Sequence, residues 1–108
     1  MSIKFDEYLL LELFESEPII IDSEAEIYKY QKKDNIGLAI ILYFSVYDQY
    51  ATVRLEHKDI IKPLFEVEIN NLRLIDADNE KISLFKQESK EPAIQIIISP
   101  SFMLDISL

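Results

Sequence analysis

Cysteine is absent from this sequence, and glycine occurs once, at Gly37. Without thiols there is no disulfide framework and no thiolate zinc site, which agrees with a reducing compartment. A single glycine excludes the glycine-rich turns that cradle phosphates in P-loop and dinucleotide-binding folds. Histidine also occurs once, at His57. A catalytic triad or a two-histidine metal site needs partners that the spacing does not supply. His57 instead reads as the end of an alternating face, Ala51/Val53/Leu55, at a strand terminus. No apolar run approaches the roughly 20 residues of a bilayer span. The opening "MSIKFDEYLLLELFESE" has acids where a signal peptide carries bases. The expectation is a cytoplasmic protein without a membrane segment.

Apolar residues make up 49% of the 108, enough for one core and too few residues for two, so a single domain over 1–108 is expected. The formal net charge is −9. It is unevenly placed. Residues 1–26 hold Asp6, Glu7, Glu12, Glu15, Glu17, Asp22, Glu24 and Glu26 against Lys4 alone, a net of −7, which leaves −2 for residues 27–108. A local negative field repels phosphate backbones and attracts cationic surfaces, so direct nucleic-acid binding is not expected.

Hydrophobic periodicity points to strands along most of the chain. "GLAIILYFSVY" is apolar on both parities and reads as a central strand, while "YATVRLEH" alternates as an antiparallel partner with one wet face. Asp48-Gln49 is the expected turn between them, and the lack of glycine there allows a wider loop. "PIII" and "AEIYKYQ" lie before them, near the N-terminus, and "LFEVEI", "LRLI", "KISLF", "AIQIIIS" and "FMLDISL" follow, with Pro92 and Pro100 bracketing "AIQIIIS" and Leu108 ending the parity of Phe102, Leu104 and Ile106. The fold class expected is mainly β: a small antiparallel β-sandwich or barrel of about eight strands. One helix is expected over residues 5–15, where Phe5, Tyr8, Leu9 and Leu13 follow helical spacing, although Leu9, Leu11 and Leu13 also suit a strand. "KQESKEP" reads as a surface loop.

No catalytic constellation emerges. "DADNE" offers several oxygens in one turn but lacks the glycine and distal glutamate of a calcium loop, so it reads as a hairpin turn. Glu66/Glu68 and Glu24/Glu26 sit at alternate, outward positions of strands, where nothing splits their pKa values into an acid and a base. No catalytic residue, metal ligand or cofactor is assigned. Tyr28 and Tyr30 share a strand face, and Tyr43, Tyr47 and Tyr50 cluster around the proposed hairpin. Such rings serve either protein interfaces or the edges of a small sheet. Lys29, Lys32 and Lys33 read as a solvated strand end.

A small, acidic, cysteine-free, mainly-β chain with the segment "FESEPIIIDSEAE" resembles the immunity proteins of bacterial polymorphic and contact-dependent toxin systems. That resemblance implies an inhibitor, not an enzyme, that binds a basic toxin domain, often a nuclease, and blocks it. The charged half of the expected surface is Glu12, Glu15, Glu17, Asp22, Glu24 and Glu26, with Tyr28 and Tyr30 as anchors. In this reading the apolar positions of the N-terminal segment fix it to the core and its carboxylates form one outward patch. The plain alternative is that these acids keep a greasy segment soluble. Two rivals from other classes are a phage-encoded inhibitor that mimics nucleic acid and an assembly subunit that pairs through exposed sheet edges such as "AIQIII". Mimics spread acids along much of the chain, and here they are concentrated. The oligomeric state is not readable from the sequence.

Overall fold

The computed structural model describes residues 2–99 and 101–107. Pro100 and Leu108 lie outside the described residues. The element order is β1 (Lys4–Phe5), α1 (Glu7–Phe14), β2 (Ile19–Asp22), β3 (Ile27–Lys33), β4 (Leu38–Ser45), β5 (Tyr50–His57), β6 (Phe65–Ile69), β7 (Leu72–Ala77), β8 (Lys81–Lys86), β9 (Ile94–Ile97) and β10 (Met103–Ile106). They form two five-stranded sheets, β2-β3-β4-β5-β6 and β1-β7-β8-β9-β10. Every pairing is antiparallel except that of β1 with β7. The result is a sandwich-like fold, with ten strands among the described residues in place of about eight because the two-residue β1 joins the second sheet and every longer apolar run forms a strand of its own.

The inner face of β4, made by Ile40, Leu42 and Phe44, is fully buried and shares one apolar cluster with Ile75, Ile82, Leu84, Ile94 and Ile96 of the other sheet. Its outer face is also covered. Ile41 is buried between Gln31 and Arg54 on the neighbouring strands. Arg54 is itself held by Glu66 at 2.8 Å and Glu56 at 3.3 Å. The hydrogen bond that Arg54 donates to Glu66 is the main cause that raises the pKa of its guanidinium. β4 therefore carries apolar residues on both parities because it has no wet face.

Turn chemistry replaces glycine. The β4–β5 connection is a four-residue loop in which Gln49 adopts a left-handed φ of 58° and donates its backbone N–H to Ser45 O at 3.0 Å. In "DADNE", Asp78 Oδ1 accepts from the backbone N–H groups of Glu80 at 2.8 Å and Lys81 at 2.9 Å, closing the β7–β8 hairpin. These two bonds hold its carboxyl below the usual aspartate range. His57 does end β5, and its Nδ1 accepts the Asp59 N–H at 3.1 Å.

The helix is shorter than the expected 5–15. Asp6 caps it, with its side chain accepting from Tyr8 N at 2.9 Å and Leu9 N at 3.2 Å, and a cap must itself be non-helical. Phe5 is therefore extended and pairs with Ile75 in β1. At the other end Glu15 turns left-handed, and Lys32 Nζ donates to Leu13 O at 3.2 Å while pairing with Glu15 Oε1 at 3.4 Å. The cap also sets the phase: Leu10, Leu13 and Phe14 face the core, while Tyr8 is 74% exposed. The helix lies against β3 of one sheet and β7 of the other. "AIQIII" is not an edge, since β9 pairs on both sides and buries Ile94 and Ile96 completely.

Candidate functional site

The N-terminal segment folds along one side of the sandwich as α1, β2 and the turn into β3. Among the described residues β2 is an edge strand that pairs with β3 alone, with Ile19 opposite Lys29 and Ile20 opposite Tyr28. Its three isoleucines, Ile19, Ile20 and Ile21, are 52%, 59% and 51% exposed. The expectation that the apolar positions of this segment all fasten it to the core is therefore corrected. Helix positions Leu10, Leu13 and Phe14 do so, but no second layer covers β2.

Between α1 and β2 runs an open groove of about 300 Å³, walled by Glu7, Tyr8 and Leu11 from the helix and by Glu17, Pro18 and Ile20 from the following segment. Tyr28 and Tyr30 also line it. Their rings belong to an aromatic cluster in which Tyr30 stacks on Phe44 at 6.0 Å with an interplanar angle of 2°, and Phe14 lies 5.3 Å from Tyr30. Tyr28 contacts Phe44 and Phe5. Only 2% of Tyr30 is exposed, so the ring is a core residue and not the surface anchor that strand parity suggests. Parity puts Tyr28 and Tyr30 on one face, but whether that face looks inward depends on what packs against the sheet.

The carboxylates occupy three places. Glu12 is exposed on the solvent side of α1. Glu15 and Glu17 are exposed just after the helix, with Glu15 partly neutralised by Lys32. Asp22, Glu24 and Glu26 form the β2–β3 turn, where Asp22 Oδ1 accepts from Glu24 N and Ala25 N at 3.0 Å each. Asp22 and Glu24 are exposed, and Glu26 is half-buried. Acids thus stand at both ends of the exposed isoleucine strand. The opposite face of the same sheet is mixed in charge, with Lys29 and Arg54 on either side of the Tyr43 ring.

The field of these acids is felt inside the groove. Burial, then Glu7, Tyr28 and Glu17, push the Tyr30 hydroxyl up to about 12, and burial, then Glu26 and Glu7, raise that of Tyr28. Glu7 and Tyr8 escape the sequence reading because Tyr8 falls on the apolar helical spacing. The signal that could have found them is Asp6, whose role as cap starts the helix at Glu7. A raised tyrosine pKa means that the folded state holds its proton where the unfolded state releases it. The Tyr30 contribution to stability is therefore present below pH 10 and lost as pH rises toward 12. Urea unfolding at pH 9 and pH 11.5 is expected to show that decline, and Tyr30→Phe to flatten it.

Among the described residues no three His, Cys, Asp or Glu side chains gather where they could hold a metal ion, and no helix is long and apolar enough to cross a membrane. The groove and its rim offer apolar contact, free strand backbone and negative charge. No protein-family model and no curated protein matches the chain. Among solved structures, a chain of the "Contact-dependent growth inhibition toxin - immunity protein complex from Klebsiella pneumoniae 342" superposes on it with a TM-score of 0.79 at 23% identity, covering 99% of this chain and 98% of that one. From end to end, the two chains share one fold.

Proposed function

We propose that this chain is an immunity protein that binds and neutralises a cationic toxin domain through its acidic N-terminal side. The observation that carries this reading is the end-to-end likeness of fold to a chain of a toxin–immunity complex. Charge supports the choice of the immunity role over the toxin role. A nuclease must present a cationic surface to hold phosphate, and a chain with net −9, most of it in residues 1–26, complements such a surface. The inhibitor acts as one unit over residues 1–108, without cofactor, metal or nucleic acid, in the cytoplasm where such a toxin finds its substrate. Glu12, Glu17, Asp22 and Glu24 steer the encounter, and the exposed apolar surface between them supplies the contact that slows release. Co-expression with the toxin domain that this proposal places in a neighbouring reading frame tests this. Cells carrying both are expected to grow, and cells carrying the toxin domain alone to arrest. Arrest in both cases, or arrest caused by this chain by itself, contradicts the proposal.

A further inference from the structure

Four strands end the two sheets: β1, β10, β2 and β6. Proteins blunt such edges, because a free row of N–H and C=O groups invites another strand. β6 carries Glu66 and Glu68, β10 carries Asp105, and β1 is only two residues long. β2 has its acid, Asp22, and a register shift only at its far end, and leaves Ile19, Ile20 and Ile21 consecutive, uncharged and more than half exposed. Ile20, opposite Tyr28, lines the groove together with Glu7 and Glu17.

A second copy of this chain fits the edge poorly. Pairing two β2 strands would bring Glu17, Asp22 and Glu24 of both copies together, in molecules that each carry net −9. The complementary occupant is a strand that carries positive charge. We propose that the toxin adds an extended basic segment to the free edge of β2, with a lysine or arginine entering the groove between Glu7 and Glu17. This rests on the immunity reading and deepens it. Backbone pairing along β2 supplies the contact, and alternate side chains of the added strand fall into the groove or onto Ile19. Burial is the main cause that raises the pKa values of Tyr28 and Tyr30, and the smaller contribution of Glu7, Glu17 and Glu26 is the one that also favours a cation at the groove's open rim.

The test is hydrogen exchange on the wild-type chain with and without the toxin domain, together with affinities of two variants. Exchange of the amides of residues 19–22 is expected to slow at least about tenfold in the complex. Ile20→Lys is expected to weaken binding by roughly 30-fold or more, the scale of an interface hot spot. Ile61→Lys, at a fully exposed position in the β5–β6 loop three strands away, is expected to bind as wild type. If the toxin binds but β2 stays unprotected, or Ile20→Lys binds as tightly as wild type, the β2 assignment is overturned and the immunity reading stands. Protection of β2 in the chain alone, growing with its concentration, identifies a second copy as the occupant and also overturns it. If the wild type binds no toxin, the immunity reading falls and this inference falls with it.

Discussion

Replacing Phe44 by alanine is expected to lower the unfolding free energy by about 3–5 kcal/mol, the range for deleting a fully buried aromatic side chain. Phe44 has no exposed surface, and its ring meets Phe5 edge-on at 5.0 Å, Tyr28 at 5.8 Å and Tyr30 in a stack at 6.0 Å. It therefore joins β1, β3 and β4, and through Phe14 on Tyr30 it also supports α1. A domain of this size has about 5–15 kcal/mol in total, so the loss is a large share. At roughly 4 °C or more per kcal/mol, the melting temperature should fall by at least about 12 °C. Thermal and urea unfolding measure it, and a loss below about 1 kcal/mol would show that the cluster does not support the fold in this way. Two of these rings, Tyr28 and Tyr30, line the α1–β2 groove, so the damage extends to the site.

That cluster illustrates what can be read from one sequence. β4 is legible because both its faces are buried, which leaves an unbroken apolar run, and β5 and β6 are legible because one face is wet and the residues alternate. The Asp78 turn is legible because aspartate side chains close such turns by their own local bonds. The phase of α1 is not legible in the same way. Tyr8, Leu9, Leu10, Leu11, Leu13 and Phe14 surround much of the helix with apolar groups, so only the Asp6 cap and the packing against β3 and β7 decide which of them go inward. Ile19–Ile21 mislead for a related reason. An apolar run is read as buried by default, and nothing local says that β2 will be an edge with no layer over it. Nor does strand spacing reveal that Glu7 and Glu17 lie near Tyr30, because that proximity is made by the fold.

Reversing Glu12, Glu17 and Glu24 to lysine is expected to slow association with the toxin domain by roughly 10–10³-fold, the range that electrostatic steering contributes. All three are exposed, and the change takes the formal charge from −9 to −3. The fold should survive, since surface substitutions of this kind usually alter stability by no more than about 0.5 kcal/mol. Glu15 is left in place because it pairs with Lys32 at the end of α1. Salt provides the internal control. With a screening length of about 10 Å at 0.1 M, the wild-type rate should fall as salt is added and converge on that of the variant. Stopped-flow mixing at several ionic strengths reads both effects. Equal rates for the two proteins at low salt would mean that these acids only keep the N-terminal segment soluble.

In the proposed function this chain captures a cationic toxin domain. Titration calorimetry of the purified chain with the toxin domain proposed as its partner measures that capture itself. Saturable one-to-one binding is expected, with Kd of about 1 nM or tighter near physiological salt. Absence of binding, or affinity no tighter than about 1 μM, would contradict it.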